Sequence, residues 1–233
     1  MLSTATAPNT RKQRKGGNRK KNPMRKRNRV IKYNTSFTSA LPTLYRSILN
    51  YHETSTITYS VSNPTSSVFW KLNDLYDPNI SGTGHQSKFS DQLYNLYQYG
   101  RCLGYDVTLK VVSDSEIPME VAFGPLTQGT ITSHDSFCED KMIQKRIITN
   151  NTSASFHYKS YVDTHLGNPK GTAFRDDIFK QTRGSPLGDL AACWFCISAK
   201  RIYLPEVKFG TLYFSLSFKQ FTVFSTIKDI GQS

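Results

Sequence analysis

No acidic residue occurs before Glu53. The same stretch holds thirteen of the chain's 30 Lys+Arg, so the other 17 balance the 17 Asp+Glu and the formal charge of +13 belongs to the N-terminal segment. Cysteine is scarce. Cys102, Cys138, Cys193 and Cys196 in 233 residues make no disulfide framework, and reduced thiols are expected. Long apolar runs are also missing. Leu190–Ala199 is the longest weakly polar stretch, well short of the about 20 apolar residues a membrane helix requires. The opening MLSTATAPNT has no apolar signal-peptide core, so neither export by a signal sequence nor a membrane partner is expected.

Catalytic signatures are missing as well. Ser81–Gln86 (SGTGHQ) has two glycines but no terminal Gly-Lys-Ser/Thr and no third glycine of a dinucleotide fingerprint, so it reads as a structural turn. His52, His85, His134, His157 and His165 show no ligand spacing and read as surface or sheet-face residues. Cys193-Trp-Phe-Cys196 has the C-x-x-C form, but its surroundings read as a strand, where positions i and i+3 point to opposite faces. Asp176 and Asp177 could hold a cation at a subunit contact or sit in a solvated loop. No Gly-x-Ser-x-Gly elbow exists. The expectation is no enzyme, no cofactor and no metal.

What the chain does have is a basic arm. Arg11, Lys12, Arg14, Lys15, Arg19, Lys20, Lys21, Arg25, Lys26, Arg27, Arg29 and Lys32 crowd into 22 positions with Gly16-Gly17, Pro23 and no large apolar side chain except Met24. Such a segment cannot offset its ordering entropy by burial and repels itself, so residues 1–46 read as a disordered arm. Each cation set against a phosphate releases condensed counterions, which binds a polyanion without reading bases. No aromatic lies between Thr10 and Lys32, so base stacking is not expected from this stretch. A piece such as Arg25–Arg27 also suits nuclear import, although the run is longer than that purpose needs.

Residues 47–233 read as one domain of strands. Ile57, Tyr59 and Val61 alternate with polar neighbours; so do Val107, Leu109 and Val111; and Leu212, Phe214, Leu216 and Phe218 share a face opposite Tyr213, Ser215, Ser217 and Lys219. That period of two marks strands with one face on a core. Shorter candidates are 66–72, 117–123, 142–148, 155–162 and 190–202. One segment differs. Phe89, Leu93, Leu96 and Tyr97 have helical spacing, with Ser90 as expected N-cap and Gly100 as expected stop. A second short helix is possible near 133–139. About eight antiparallel strands, one short helix inserted early and long loops predict an all-β, eight-stranded jelly-roll sandwich. An immunoglobulin-type sandwich is the alternative, although it is usually nearer 100 residues.

A basic arm ahead of a strand-rich body of roughly 180 residues resembles the coat proteins of small icosahedral viruses. Asn73–Pro78 (NDLYDP), Gly82–Gln86 (GTGHQ), Phe89 and Leu96-Tyr97 resemble a stretch in capsid proteins of circular, Rep-encoding single-stranded DNA viruses, the circovirus-like and related groups. The resemblance implies a jelly-roll shell, an arm facing the particle interior, packaged single-stranded nucleic acid with DNA favoured over RNA, and residence in the virion and the host nucleus, with host import machinery as a further partner. About 60 copies in one shell would bring about 780 positive charges, suited to a genome on the order of a thousand or more nucleotides. Within the matching stretch, Asp77, Pro78, Gly82, Gly84, His85 and Gln86 are expected to build a scaffold. The glycines would supply unusual backbone angles, and His85 and Gln86 would anchor hydrogen bonds. The competing expectation is a non-assembling nucleic-acid-binding protein, ribosomal or chromatin-like, with a basic tail.

Overall fold

The computed structural model describes residues 41–59, 65–81, 84–114, 116–202 and 210–228. All twelve arm cations, Val61 and Gly82 lie outside these residues. Among the described residues eight strands form: β1 (Leu44–Tyr59), β2 (Thr65–Lys71), β3 (Tyr97–Ser113), β4 (Met119–Leu126), β5 (Gln144–Ile148), β6 (Ser153–Tyr161), β7 (Trp194–Arg201) and β8 (Gly210–Ile227). They pair antiparallel in two four-stranded sheets, β1-β8-β3-β6 and β2-β7-β4-β5. Successive strands alternate between the sheets at the outset, and the last strand returns beside the first. This is the order of the double-sheet jelly roll, and it removes the immunoglobulin alternative. β1 begins at Leu44, so the last three residues of the segment read as arm are strand.

The core fills the space between the sheets. Leu212, Phe214, Leu216 and Phe218 of β8 are all buried there, while Tyr213, Ser217 and Lys219 are exposed. Aromatic pairs cross from sheet to sheet. Trp70 meets Phe214 edge-on at 5.5 Å, Tyr105 meets Phe195 at 5.4 Å and Phe123 meets Phe156 at 6.0 Å. Each such burial contributes about 1.5–3 kcal/mol before geometry is counted. In β3 the alternation changes phase. Val107, Leu109 and Val111 are buried on odd numbers, but Gly100 and Cys102 on even ones, because the register shifts between Cys102 and Gly104. A bulge of that kind flips every side chain beyond it.

Besides the early helix and the second one expected near 133–139, two further short α-helices form among the described residues. Among the described residues α1 (Ser90–Leu96), α2 (His134–Glu139), α3 (Val162–His165) and α4 (Thr172–Arg175) all lie in connections. α3 and α4 organise part of the long β6–β7 loop. The Asp163 carboxylate accepts from the Gly171 and Ala173 amides at 2.6 and 2.7 Å, and Gly171 takes the left-handed φ of 92° that glycine tolerates. Ser133 caps α2 by accepting from the Ser136 amide.

α1 departs from its expected form at both ends. Ser90 is its first helical residue rather than its cap, and its hydroxyl donates to the Leu75 carbonyl. Phe89 is 58% exposed, with φ 72°. The expected Leu93 and Leu96 pack partly buried against the core and Tyr97 is buried, but the most deeply buried helical side chains are Ser90 and Tyr94, because Tyr94 packs edge-on against Phe224. Gly100 does not stop the helix, since the chain passes straight into β3 at Tyr97. Gly100 is needed three residues later, where a Cβ would lie 2.7 Å from the Tyr94 hydroxyl and 2.9 Å from Leu75.

Candidate nucleic-acid interface

Arg46 is the last of the thirteen N-terminal cations and is described. It stands exposed on β1 opposite Val223 of β8. Beside it the outer face of the β1-β8-β3-β6 sheet carries an open groove of about 610 Å³, lined by Arg46, Ile48, Lys159, Tyr161 and Phe221 among others. Tyr161 is 67% exposed, and the Lys159 ammonium lies 5.6 Å from the Phe221 ring. Two cations beside the exposed Tyr161 ring and the half-buried Phe221 can take a phosphate and a stacked base together, the pairing used on single strands. Aromatics absent between Thr10 and Lys32 are therefore present on the body. The sequence hid this groove because β1, β6, β8 and Leu103 of β3 each supply part of it from distant positions.

The NDLYDP stretch is a buried polar junction. Asn73 is 1% exposed; its amide donates to the Ala191 carbonyl and its oxygen accepts from the Cys193 amide, both at 2.7 Å. Gln181 accepts from the Leu75 amide and donates to the Asn73 carbonyl. Gln220 of β8 donates to the Leu72 and Asp74 carbonyls and accepts from Ser87 at 2.6 Å. The buried Asp74 carboxylate accepts from the amides of Tyr76, Asp77 and Leu187. Burial still pushes its pKa above the usual carboxylate value, and the three amides offset part of that. Gln181 and Gln220 were missed because nothing local marks a glutamine in a loop or strand as the partner of a turn over a hundred positions away.

The remaining motif residues sit around Glu53 of β1. That carboxylate accepts from Tyr51 at 2.8 Å, from the Trp70 indole at 3.1 Å and from the Asn79 amide at 2.5 Å, joining both sheets to the loop. Asp77 is half-buried, and the buried Pro78 accepts from the Lys71 amide through its carbonyl. Gly84 fits by close approach rather than by an unusual angle, for a Cβ there would lie 2.7 Å from that of Asn79. His85 stacks on Tyr51 at 4.6 Å, with its ring nitrogens each 2.8 Å from the carbonyl oxygens of Gln86 and His52. The Gln86 amide nitrogen, turned toward Asp91, donates to that carboxylate at 3.0 Å.

Two histidines are not surface residues. His165 is half-buried, 2.5 Å from the Tyr105 hydroxyl and 3.0 Å from the Leu126 carbonyl. His134 is buried, with Cys138 one helical turn away, so the expected absence of His/Cys ligand spacing does not hold. Cys193 and Cys196 do point to opposite sides of β7, one in the main core and the other in the cluster under α2. Asp176 and Asp177 are engaged locally: Asp176 accepts from the Ile178 amide, and Asp177 pairs with Lys180 at 2.6 Å and Arg101 at 3.1 Å.

No family model and no curated protein matches this sequence. Similar solved structures include viral ones. One is of a mud crab tombus-like virus, at 9% identity with TM-score 0.45 and 95% of each chain covered. Another is of Cocksfoot mottle virus, at 7% identity with TM-score 0.47, covering 79% of this chain and 96% of that one. A third is of the decameric BFDV capsid protein, at 10% identity with TM-score 0.39, covering 78% and 99%.

Proposed function

We propose that this protein is a viral coat subunit that self-assembles into a small icosahedral shell and packages single-stranded nucleic acid through its N-terminal arm. The observation that carries the reading is the pairing of two parts. An acid-free stretch with twelve cations from Arg11 to Lys32 precedes a charge-balanced jelly roll of order β1-β8-β3-β6 and β2-β7-β4-β5. The arm suits a polyanion; the balanced body lets identical subunits meet without mutual repulsion. Exposed apolar side chains at Ile48, Ile147, Tyr161, Ile178 and Leu190 supply material for such contacts. Arg46 and Lys159 add two cations on the outer face of the β1-β8-β3-β6 sheet. DNA is favoured as the cargo on the strength of the stretch 73–97, and Arg25–Arg27 gives the arm a second use in nuclear entry.

Negative-stain electron microscopy of the purified full chain tests the reading. Closed shells of uniform size are expected, with contents digested by deoxyribonuclease and not by ribonuclease once the shells are opened. A monomer or dimer at every salt concentration would overturn it in favour of a non-assembling nucleic-acid-binding protein.

A further inference from the structure

α2 covers part of the outer face of the β2-β7-β4-β5 sheet, where Phe137 and Cys138 pack with Ala122 and Cys196. On that face the register sets Ala122 of β4 opposite Ser198 of β7 and Ser198 opposite Ser67 of β2, while Glu120 lies two residues from Ala122 and so on the same side. His134 and Cys138 project toward these residues from successive turns of α2. The result is a convergence of three donor atoms. His134 Nε2 is 3.3 Å from Cys138 Sγ and 3.5 Å from Glu120 Oε2, and all three atoms lie within 4.8 Å of one another.

We propose that Glu120, His134 and Cys138 form a binding site for one zinc-class divalent transition metal. Four ligands at tetrahedral zinc, at about 2.0–2.3 Å from the ion, stand about 3.3–3.8 Å from each other. Two of the separations already have that size, and the third needs only a small side-chain movement. The donor set is thiolate, imidazole and carboxylate, which suits zinc, cobalt and nickel and does not suit calcium or magnesium. Two of the three ligands are anionic when bound, so they neutralise a divalent ion. Coordination releases the thiol proton to solvent.

The surroundings fit that role. His134 Nδ1 is 3.0 Å from Ser198 Oγ, which is itself 3.0 Å from Ser67 Oγ, the outer hydrogen bond that fixes the ring and aims Nε2 at an ion. With the proton on Nδ1, the Nε2 lone pair faces the Glu120 carboxylate, and a cation between the two relieves that repulsion. Lys200 does not fill the role, because its ammonium is held by the Asp135 carboxylate at 2.6 Å. The Glu120 side chain is 31% exposed, which gives an ion a way in and leaves the fourth position to water.

Cobalt(II) titration of the full-length, chelator-treated protein is the test. One equivalent per chain should produce the near-ultraviolet sulfur-to-cobalt charge-transfer band, and zinc should remove it by competition. Cys138→Ser should lose the band, and Ser198→Ala should keep it with about 10–100-fold weaker binding. Circular dichroism of both variants without metal checks that each is folded. A wild-type protein with no band would mean that the three groups are only a hydrogen-bonded cluster. A band that survives Cys138→Ser would place the metal on another thiol. Either result overturns the proposal, and neither bears on shell assembly.

Discussion

His85 is a small case of a side chain whose charge follows from its neighbours. Both ring nitrogens face carbonyl oxygens, yet a neutral imidazole carries only one N–H, so only the protonated ring donates to both. The Gln86 carbonyl, then the His52 carbonyl, raise the His85 pKa above its ordinary 6.5, and partial burial offsets some of this. A raised folded-state value means the stabilisation is complete below about pH 6.5 and is lost as pH rises through the folded pKa. His134 and His165 have the opposite sign: burial lowers both, so their neutral forms favour the fold and stability falls as pH drops below about 6.5. Thermal melts of wild type and His85→Ala across this range separate the effects, since the other two histidines cancel in the difference. The gap between the melting temperatures should shrink as pH rises. A gap constant with pH would mean that His85 is not the titrating group.

Among the elements, β8 lies between β1 and β3 and sends one face into the core. Phe214 is 3% exposed and meets Trp70 of the facing sheet, whereas Ser215 points away. Phe214→Ala should cost about 3–5 kcal/mol, enough to leave the chain unfolded or insoluble, and Ser215→Ala should be nearly silent. Urea melts of the soluble fraction measure both. Equal costs would mean that β8 is out of register by one residue, which would turn its whole apolar face to solvent. α1 shows the opposite limit. Its spacing announced a helix, but seven helical residues do not fix which face is buried most deeply. Tyr94, Gly100 and Phe224 decide that through contact.

For the whole molecule, the decisive division is between arm and body. Deleting residues 1–40 leaves every described strand intact, because β1 starts at Leu44. The truncated protein should remain folded and β-rich by circular dichroism. Its affinity for single-stranded DNA should lose most of its salt dependence: if all twelve cations engage, the full chain has a log–log slope of about −8. A residual slope of about −1 to −2 is expected from Arg46 and Lys159 on the sheet groove. An unchanged slope after truncation would remove the arm from the binding mechanism.

The one-sided charge before Glu53, the alternation in β1, β3 and β8, and the eight-strand count were legible in the chain, because each is a short-period or compositional property that no distant residue can alter. The turn residues of the matching stretch could also be picked out, though not what they touch. Tertiary structure decided the rest. Which strands pair, the phase change at Cys102 and Gly104, Gln181 and Gln220 closing on Asn73–Asp74, and the approach of Glu120 to His134 and Cys138 all depend on two sheets and their loops coming together. A polar side chain's partner is set by register and packing across the fold, and these leave no periodic trace along the sequence.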